Sequence, residues 1–260
     1  MTSALPGSRI LVTRPAGQAD VLCKIIEQSG GKALHLPTLE IIANAPEPQS
    51  LQCALNADWL IFTSTNAVDF ALSAFSGTMP GTNQPCIAAV GAATAKSLRL
   101  AGWQVDCVPI HDYSSEGLLA EPQLADVTGK TCIIVRGVGG REKLAAALRS
   151  RGAFVGYLEV YSRQRPTADI RPLTDSLMEC QLDAVTVTSV EALHNLLAML
   201  DNRLADLLRA LPLIVMSDRI AQTAEQLGFK QIIASRQPTD TAILETLTTL
   251  FNGEHSGRIN

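Results

Sequence analysis

The sequence predicts an α/β protein made of two similar parallel-sheet modules, and three observations predict this class. The second half of the chain repeats the pattern of the first half. Short apolar runs alternate with helical patterns, which is typical of parallel βαβ construction. The length of 260 residues lies where a single hydrophobic core stops growing and division into two domains is expected.

The repeat is visible as a nearly constant offset between matching residues. Arg9–Gly31 lines up with Thr131–Ala153 and places Arg14 on Arg136, an offset of 122 residues (136 − 14). Further along, offsets of 125 (188 − 63) and 126 (217 − 91) pair Thr63 with Thr188, Ser64 with Ser189, and Gly91 with Ser217. Two similar modules imply a cleft between two similar walls, and ligands favour such clefts.

Six apolar runs lack alternating polarity and therefore fit strands that are buried on both faces. They are Ile10–Thr13, Trp59–Thr63, Ile87–Val90, Cys132–Val135, Ala184–Thr188 and Leu213–Met216. Each leads into a predicted helix, and these are Gln18–Gln28, Ala67–Phe75, Thr94–Leu100, Glu142–Arg149, Ala192–Leu200 and Ile220–Leu227. Glycines follow four of the helices, as expected at helix C-termini, at Gly30-Gly31, Gly102, Gly152 and Gly228.

Two segments break this rhythm, Ala33–Ile42 and Phe154–Arg163, and they occupy the same place in the repeat. Both are longer than the usual strand of ~5–6 residues. We interpret them as long strands that cross between the lobes, an arrangement that makes one lobe discontinuous. A simpler division into two contiguous halves fits the pattern equally well at this point.

Composition narrows the classes of function. The net charge is −4 and there is no basic run, which argues against nucleic acid as a partner. No stretch reaches the ~18–20 apolar residues of a membrane span, and the N-terminus lacks the features of a signal peptide. The cysteines and histidines show no metal-ligand spacing, so we predict a cytoplasmic protein with reduced cysteines and no metal site.

The chemistry is expected at the turns that follow the strands, because ligands of open α/β sheets bind beyond the carboxyl ends of the strands. These turns are rich in serine, threonine and glycine, which leave backbone N–H groups at helix starts open to anions. Capping alone explains such residues at any one turn, but the same chemistry recurs at equivalent turns in both modules. The candidate binding residues are Arg14, Thr63, Ser64, Gly91, Thr94, Ser114, Arg136, Gly137, Thr188, Ser189 and Ser217.

Several common signatures are absent. The loop Arg136–Arg141 resembles a dinucleotide-binding loop, but Glu142 stands where GxGxxG has its third glycine. The sequence contains neither GxxxxGK[ST] nor GxSxG, which argues against a nucleoside triphosphate site and against an esterase-type nucleophile.

Several of these segments, taken in order, resemble the uroporphyrinogen-III synthase family over nearly the whole chain, from Ile10 to about Leu250. The matching segments are LVTRP (11–15), IFTSTNAV (61–68), AVGAATAKSLRLAG (89–102), SSEGLL (114–119), the stretch 134–163, VTVTS (185–189) and the stretch 216–228. Each segment by itself resembles the family only loosely, whereas the order and spacing of all the segments together are specific for the family.

The resemblance implies two flavodoxin-like lobes joined by a two-stranded β-ladder, with one lobe discontinuous. The first lobe would comprise residues 1–35 and 164–260, the second residues 43–156, and the crossing strands residues 36–42 and 157–163. The reaction it implies is the cyclisation of hydroxymethylbilane to uroporphyrinogen III, with loss of water, inversion of ring D and no metal or organic cofactor. A substrate with eight carboxylates suits a neutral cleft rich in hydrogen-bond donors.

The resemblance also indicates one catalytic residue. In the family a tyrosine of the second crossing strand is the leading candidate for the acid that helps hydroxide leave, and Tyr161 matches it. An aromatic residue packed at a hinge is the alternative interpretation. Tyr157 competes for the role because a period of two places it on the same side of a regular strand.

Two further expectations complete this interpretation. The protein is expected to be a monomer that contacts neither membrane nor nucleic acid and that meets the preceding pathway enzyme only transiently. A two-lobed small-molecule binding or sensor protein without catalysis is the alternative function, since such proteins share the architecture.

Overall fold

The structure is a computed structural model that describes residues 4–75, 85–140 and 142–254. The chain divides into two compact units. Unit 1 comprises Met1–Glu40 and Gln164–Asn260, and unit 2 comprises Ile41–Arg163. The chain thus leaves unit 1 once and returns to it once.

The elements follow one another in the alternating order that the sequence predicts. The strands are β1 (Arg9–Val12), β2 (Lys32–His35), β3 (Glu40–Ala43), β4 (Trp59–Phe62), β5 (Cys86–Ala89), β6 (Thr131–Gly137), β7 (Phe154–Gln164), β8 (Ala184–Val187), β9 (Leu213–Val215) and β10 (Ile232–Ala234). The helices are α1 (Asp20–Gln28), α2 (Pro48–Leu55), α3 (Thr65–Ala74), α4 (Ala92–Leu100), α5 (Ser115–Ala120), α6 (Lys143–Ser150), α7 (Arg171–Met178), α8 (Val190–Ala198), α9 (Asn202–Arg209), α10 (Asp218–Gln226) and α11 (Asp240–Glu254). A short 3₁₀ turn spans Pro122–Leu124.

Unit 1 contains a sheet with the strand order β10-β9-β8-β1-β2. Neighbouring strands run parallel throughout this sheet. Successive side chains of β1 point to opposite faces: Ile10 and Val12 pack in one core with Leu22, whereas Leu11 packs in the other. Burial on both faces explains why these strands carry no alternating polarity.

Unit 2 contains a sheet with the strand order β3-β7-β6-β4-β5. In it β4 runs parallel to β5 and β6, and β6 runs parallel to β7. Leu60 and Phe62 face one core and Ile61 faces the other. The two strands in which the chain passes between units, β3 and β7, are neighbours in this sheet.

The two sheets keep equivalent repeat positions in the same order. In unit 1 the order β9-β8-β1-β2 corresponds by repeat position to β5-β4-β6-β7 in unit 2. A single bridge between Ala88 and Cys107 takes the place that the β9–β10 pair has in unit 1. Each unit therefore combines strands from both halves of the chain. The predicted class, two α/β units with mostly parallel sheets, is confirmed.

One predicted strand is wrong. Ala33–Ile42 is two short strands, β2 and β3, separated by residues 36–39. After β2 the chain still follows β1, since Leu36 N–H donates to the Val12 carbonyl at 3.0 Å and Thr38 N–H to the Thr13 carbonyl at 3.3 Å. Between them stands Pro37, which has no N–H to donate, so the ladder is interrupted there. Its repeat partner β7, in contrast, is one unbroken strand.

Four helices begin earlier in the structure than the sequence predicts. Helices α3, α4, α8 and α10 begin two residues before the predicted starts at Ala67, Thr94, Ala192 and Ile220. In α3, α4 and α10 the first two residues are polar or small, so the apolar periodicity does not reach them, whereas α8 begins with the apolar Val190. The glycines predicted at helix C-termini adopt the left-handed conformation, with φ of 85° at Gly30, 83° at Gly102, 82° at Gly152 and 90° at Gly228.

The apolar periodicity does not predict α2, α7, α9 and β10. Both α2 and α7 carry a proline in the first turn, where its missing N–H costs nothing.

Candidate functional site

Each sheet has one point at which consecutive connections diverge. In unit 1 the chain leaves β1 toward β2 and leaves β8 toward β9, in opposite directions across the sheet. In unit 2 it leaves β4 toward β5 and β6 toward β7. Open α/β sheets bind ligands at such topological switch points, beyond the carboxyl ends of the strands.

The switch-point loops hold most of the candidate residues predicted from the sequence. In unit 1 the loop after β1 carries Arg14, and the loop after β8 carries Thr188 and Ser189. In unit 2 the loops after β4 and β6 carry Thr63, Ser64, Arg136 and Gly137. Gly91, Thr94, Ser114 and Ser217 lie at other helix starts of the same units, whereas Arg141 lies outside the described residues.

Four of the candidate serines cap helices. Ser64 Oγ accepts the Ala67 N–H at 3.1 Å, and Ser189 Oγ accepts the Ala192 N–H at 3.0 Å. Corresponding bonds join Ser114 to Gly117 at 3.1 Å and Ser217 to Ile220 at 3.4 Å. A capping hydroxyl accepts at oxygen and keeps its hydrogen for a second partner, so capping is compatible with ligand binding.

The candidate threonines differ in exposure. Thr63 is half-buried and its hydroxyl donates to the Val135 carbonyl at 3.2 Å, which ties the loop after β4 to β6. Thr188 is half-buried as well. Thr94 is only 5% exposed and packs into the first turn of α4, so its side chain supports the helix start.

Arg14 lies against an acid of its own unit. Its Nη2 is 2.5 Å from Asp240 Oδ1, and both side chains are largely shielded from solvent. The carbonyl of Arg14 lies 2.9 Å from His35 Nε2, within hydrogen-bonding distance. The ion pair joins the loop after β1 to the first residue of α11.

Arg136 lies within a cluster of charged groups in unit 2. Its guanidinium pairs with Glu142 at 3.0 Å and with Glu159 at 3.1 Å, and it covers the ring of Tyr157 at 3.7 Å from the centroid. Tyr157 donates a short hydrogen bond to Glu142. That bond, followed by the Arg136 contact, lowers the pKa of Glu142, while burial and the Glu142 bond raise the pKa of Tyr157.

Tyr161 is 1% exposed and lies in the core cluster of unit 2. Its ring stacks on Phe70 with centroids 5.7 Å apart. A Cβ at Gly137 would lie 2.6 Å from the Tyr161 Cζ, so only glycine admits the ring here. The hydroxyl lies 3.2 Å from Ser64 Oγ and accepts from Arg163 Nη2 at 3.2 Å.

The prediction that Tyr157 and Tyr161 share one side of a regular strand is wrong. The register between β6 and β7 shifts by one residue, because Arg136 pairs with Glu159 whereas Gly137 pairs with Tyr161. Such a bulge reverses the facing of the residues beyond it. Val160 and Tyr161 both pack in the core that contains Phe62, and Tyr157 packs against the opposite core.

Three residues outside the predicted set contact the candidate residues. Asp240 holds Arg14, Glu159 holds Arg136, and Arg163 contacts the Tyr161 hydroxyl. Arg163 stands two residues after Tyr161 in a predicted strand, and this spacing is a signal that could have indicated it. Nothing in the local sequence indicates the other two.

A cavity of about 680 Å³ in unit 2 lies away from most of these groups. It contains Tyr157 and Glu159, and its other lining residues are Ala43, Asn44, Ala45, Pro46, Glu47 and Ser50. None of the predicted binding residues lines it, so the switch-point loops remain the better candidate site.

Two features of the described residues concern cofactors and membranes. No group of three or more His, Cys, Asp or Glu side chains there is arranged to hold a metal ion. No helix in residues 4–75, 85–140 and 142–254 has the length and apolar character needed to cross a membrane.

Fold and site together define a two-unit α/β protein whose hydroxyl- and amide-rich loops lie at the switch point of each sheet. The family model described as uroporphyrinogen-III synthase HemD matches residues 20–245. The chain therefore belongs to the uroporphyrinogen-III synthase family.

Individual relatives agree with this assignment. The uroporphyrinogen-III synthase of Escherichia coli strain K12 is 31% identical over 243 residues, which cover 92% of this chain and 99% of the relative. A putative uroporphyrinogen-III synthase of Methanothermobacter thermautotrophicus is 33% identical, with 77% of this chain and 81% of the relative covered.

Solved structures show the same fold. A mutant uroporphyrinogen III synthase of Thermus thermophilus matches with a TM-score of 0.61 at 18% identity, over 96% of this chain and 98% of the other. The uroporphyrinogen-III synthetase of Helicobacter pylori 26695 matches with a TM-score of 0.60 at 16% identity, over 94% and 99%.

Proposed function

We propose that this enzyme closes hydroxymethylbilane to uroporphyrinogen III and that the switch-point loops of both sheets hold the carboxylates of the substrate. The family match over residues 20–245 carries the proposed reaction. The site is supported by the concentration of capping serines, threonines and helix N-termini at the loops where α/β sheets bind ligands.

The chemistry makes modest demands on the protein. Loss of hydroxide from the hydroxymethyl group gives an azafulvene cation conjugated through the pyrrole, and this cation is reactive by itself. The main task is to fold the linear chain so that the correct carbon attacks, which is catalysis by positioning. Catalysis by positioning does not need a cluster of acids or histidines, and in this sequence the acids and histidines are dispersed.

The proposed acid is Tyr161, which would protonate the departing hydroxyl. General acid catalysis of this kind contributes about 10²–10⁴-fold. The buried hydroxyl is held by Ser64 and Arg163, so its position is defined by the fold of unit 2. Tyr157 is the weaker candidate because its hydroxyl already donates to Glu142.

The reaction is tested by incubating the purified protein with freshly prepared hydroxymethylbilane in a chelator, without nucleotide, and separating the product isomers. Uroporphyrinogen III is expected. Formation of the uninverted type I isomer alone, at the rate of the spontaneous reaction, would contradict the proposed function and would favour a binding or sensor protein.

The assignment of the acid is tested by Tyr161→Phe beside Tyr157→Phe. We expect Tyr161→Phe to lower kcat by about a hundredfold or more and Tyr157→Phe to lower it by less than about threefold. Circular dichroism and thermal melts of both variants check that folding is retained. The opposite ranking would move the role to Tyr157.

The monomeric state, the transient contact with the preceding pathway enzyme and the cytoplasmic location remain proposals from the sequence. Sedimentation of the protein alone and mixed with the preceding enzyme tests the first two. A stable dimer would contradict the proposed monomer.

A further inference from the structure

The Tyr161 hydroxyl contacts a cation to which the proposed function gives no part in the proton transfer. Arg163 Nη2 donates to the Tyr161 oxygen at 3.2 Å, and its guanidinium carbon lies 5.7 Å from the centre of the same ring. Ser64 Oγ lies 3.2 Å from that oxygen on another side. Arg163 is exposed, whereas the tyrosine that it contacts is buried.

The donor inventory of these groups restricts where the tyrosine proton lies. A phenol oxygen carries one hydrogen and accepts hydrogen bonds at its lone pairs, whereas a guanidinium only donates. Arg163 therefore always occupies an acceptor position of the Tyr161 oxygen. If Ser64 donates as well, the phenol hydrogen must point to a third group; otherwise it points to Ser64. In both arrangements a cationic donor faces the oxygen from which the proton departs.

The packing around the ring fixes the position of this oxygen. Phe70 stacks on the ring with an interplanar angle of 30°, and Gly137 approaches it so closely that no side chain would fit. The ring cannot swing away from Arg163 without displacing β6 or α3. Packing thus sets the location of the hydroxyl, and Arg163 is left to set its electrostatic environment.

We propose that Arg163 is a positioning residue that stabilises the Tyr161 oxygen while it gives up its proton, an inference that rests on the proposed function. In that step the bond between the hydroxymethyl carbon and its oxygen breaks, and the electron pair stays on the oxygen. This oxygen takes the Tyr161 proton and leaves as water. The tyrosine oxygen then carries negative charge and faces the Arg163 guanidinium. A pyrrole carbon bonds to the cationic carbon and closes the ring, and the proton that this pyrrole carbon loses returns to the tyrosine oxygen. Charge-assisted hydrogen bonds of this type are about twice as strong as neutral ones.

The experiment is a double-mutant cycle on kcat with Arg163→Gln, Tyr161→Phe and the double variant. Arg163→Gln is expected to lower kcat by about tenfold to a hundredfold, with KM within about twofold of the wild type. In the Tyr161→Phe background the same substitution is expected to change kcat by less than about twofold, because the oxygen on which it acts is gone. Arg163→Lys keeps a cationic donor and is expected to recover most of the activity.

The matched control is Arg165→Gln, which removes the same charge two residues further on. Arg165 is exposed and donates to the Ala198 carbonyl at 3.3 Å, so kcat should stay at the wild-type value. Three results would overturn the proposal: an unchanged kcat in Arg163→Gln, an effect confined to KM, which would indicate a substrate carboxylate on Arg163, or effects that multiply in the double variant. The proposed function fails separately, when the wild type itself forms no uroporphyrinogen III.

Discussion

The two units share the order of four strands and the framework of their loops. Asp58 in unit 2 accepts the Thr131 N–H at 2.7 Å, and Asp183 in unit 1 accepts the Arg9 N–H at 2.8 Å. Each bond joins the residue before one central strand to the first residue of the other. Ser64 and Ser189 cap equivalent helices in the same way. The framework is therefore a property of the repeat, and functional differences must come from side chains added to it.

The main difference is the charge at the helix starts. Helices α8 and α10 of unit 1 carry Glu191 and Asp218 in their first turns. The same repeat positions in α3 and α4 of unit 2 are Asn66 and Ala92. Acids at a helix start stabilise the helix but oppose an anionic ligand there. We therefore expect the starts of α3 and α4 to suit carboxylates better than their counterparts in unit 1, whereas α5 of unit 2 carries Glu116 in its first turn.

The strand-end arginines differ in a related way. Arg14 has one acidic partner in the first turn of α11, whereas Arg136 lies between two glutamates and covers an aromatic ring. Two roles are open to an arginine at such a strand end, substrate binding and pairing with a nearby acid. In the structure both arginines pair with acids of their own unit.

Among the tests of the difference between the two units, the largest effect is expected when a methyl group is added at Gly137. In Gly137→Ala the new Cβ would lie 2.6 Å from the Tyr161 Cζ, so the ring must move. We expect a loss of about a hundredfold or more in kcat and of about 1–3 kcal/mol in the free energy of unfolding. Steady-state kinetics and denaturant melts measure the two effects.

Gly91→Ala is the matched control for stability. Its new Cβ would meet only the Tyr113 Cβ at 3.8 Å, and the backbone φ of −149° is open to any residue. Its unfolding free energy should stay within about 0.5 kcal/mol of the wild type. Equal destabilisation of both variants would show that the Tyr161 contact is not the cause.

A smaller effect is expected from exchanging charge between equivalent helix starts. Ala92→Asp gives α4 the residue that α10 has, and it should weaken product binding by roughly tenfold through repulsion of a carboxylate. The thermal stability should not fall, since an acid in the first turn favours the helix. The reverse change, Asp218→Ala, should alter binding by less than about twofold. Titration calorimetry with product compares them, and a marked tightening in Asp218→Ala would assign unit 1 an equal share of the ligand.

A third prediction concerns the unit 1 arginine. Asp240→Asn removes the partner of a largely shielded guanidinium, and we expect a loss of about 1–2 kcal/mol in the free energy of unfolding. KM should change by less than about twofold if Arg14 serves the fold of unit 1. A decrease in KM well beyond twofold would indicate that the ion pair with Asp240 prevents Arg14 from binding a substrate carboxylate.

Local chemistry made much of this architecture predictable. Buried strands, terminating glycines and capping serines each follow from a few neighbouring residues, so the sheets and the loop chemistry could be predicted. The bulge near Gly137 could not, because it depends on how β7 meets β6 and not on a local pattern. The partner of Arg14 lies far along the chain at Asp240, and only the folded unit brings the two together. Pro37 is a local signal that could have divided β2 from β3, because a proline interrupts a strand ladder.

The smallest predicted effect tests the shared framework through pH. The hydrogen bond from the Thr131 N–H is the largest influence on the pKa of Asp58 and lowers it; burial opposes this shift, and Lys130 adds to the lowering. A carboxyl whose pKa is lower in the folded state stabilises the fold above its unfolded pKa of about 3.9, and this contribution disappears as the pH falls through the folded pKa. In Asp58→Asn the free energy of unfolding should therefore fall less steeply with acid below about pH 4. The difference from the wild type should be greatest at neutral pH, at about 0.5–1.5 kcal/mol for one hydrogen bond. Urea melts from pH 7 to pH 3 measure both curves, and parallel curves would show that Asp58 does not contribute to the acid sensitivity of the fold.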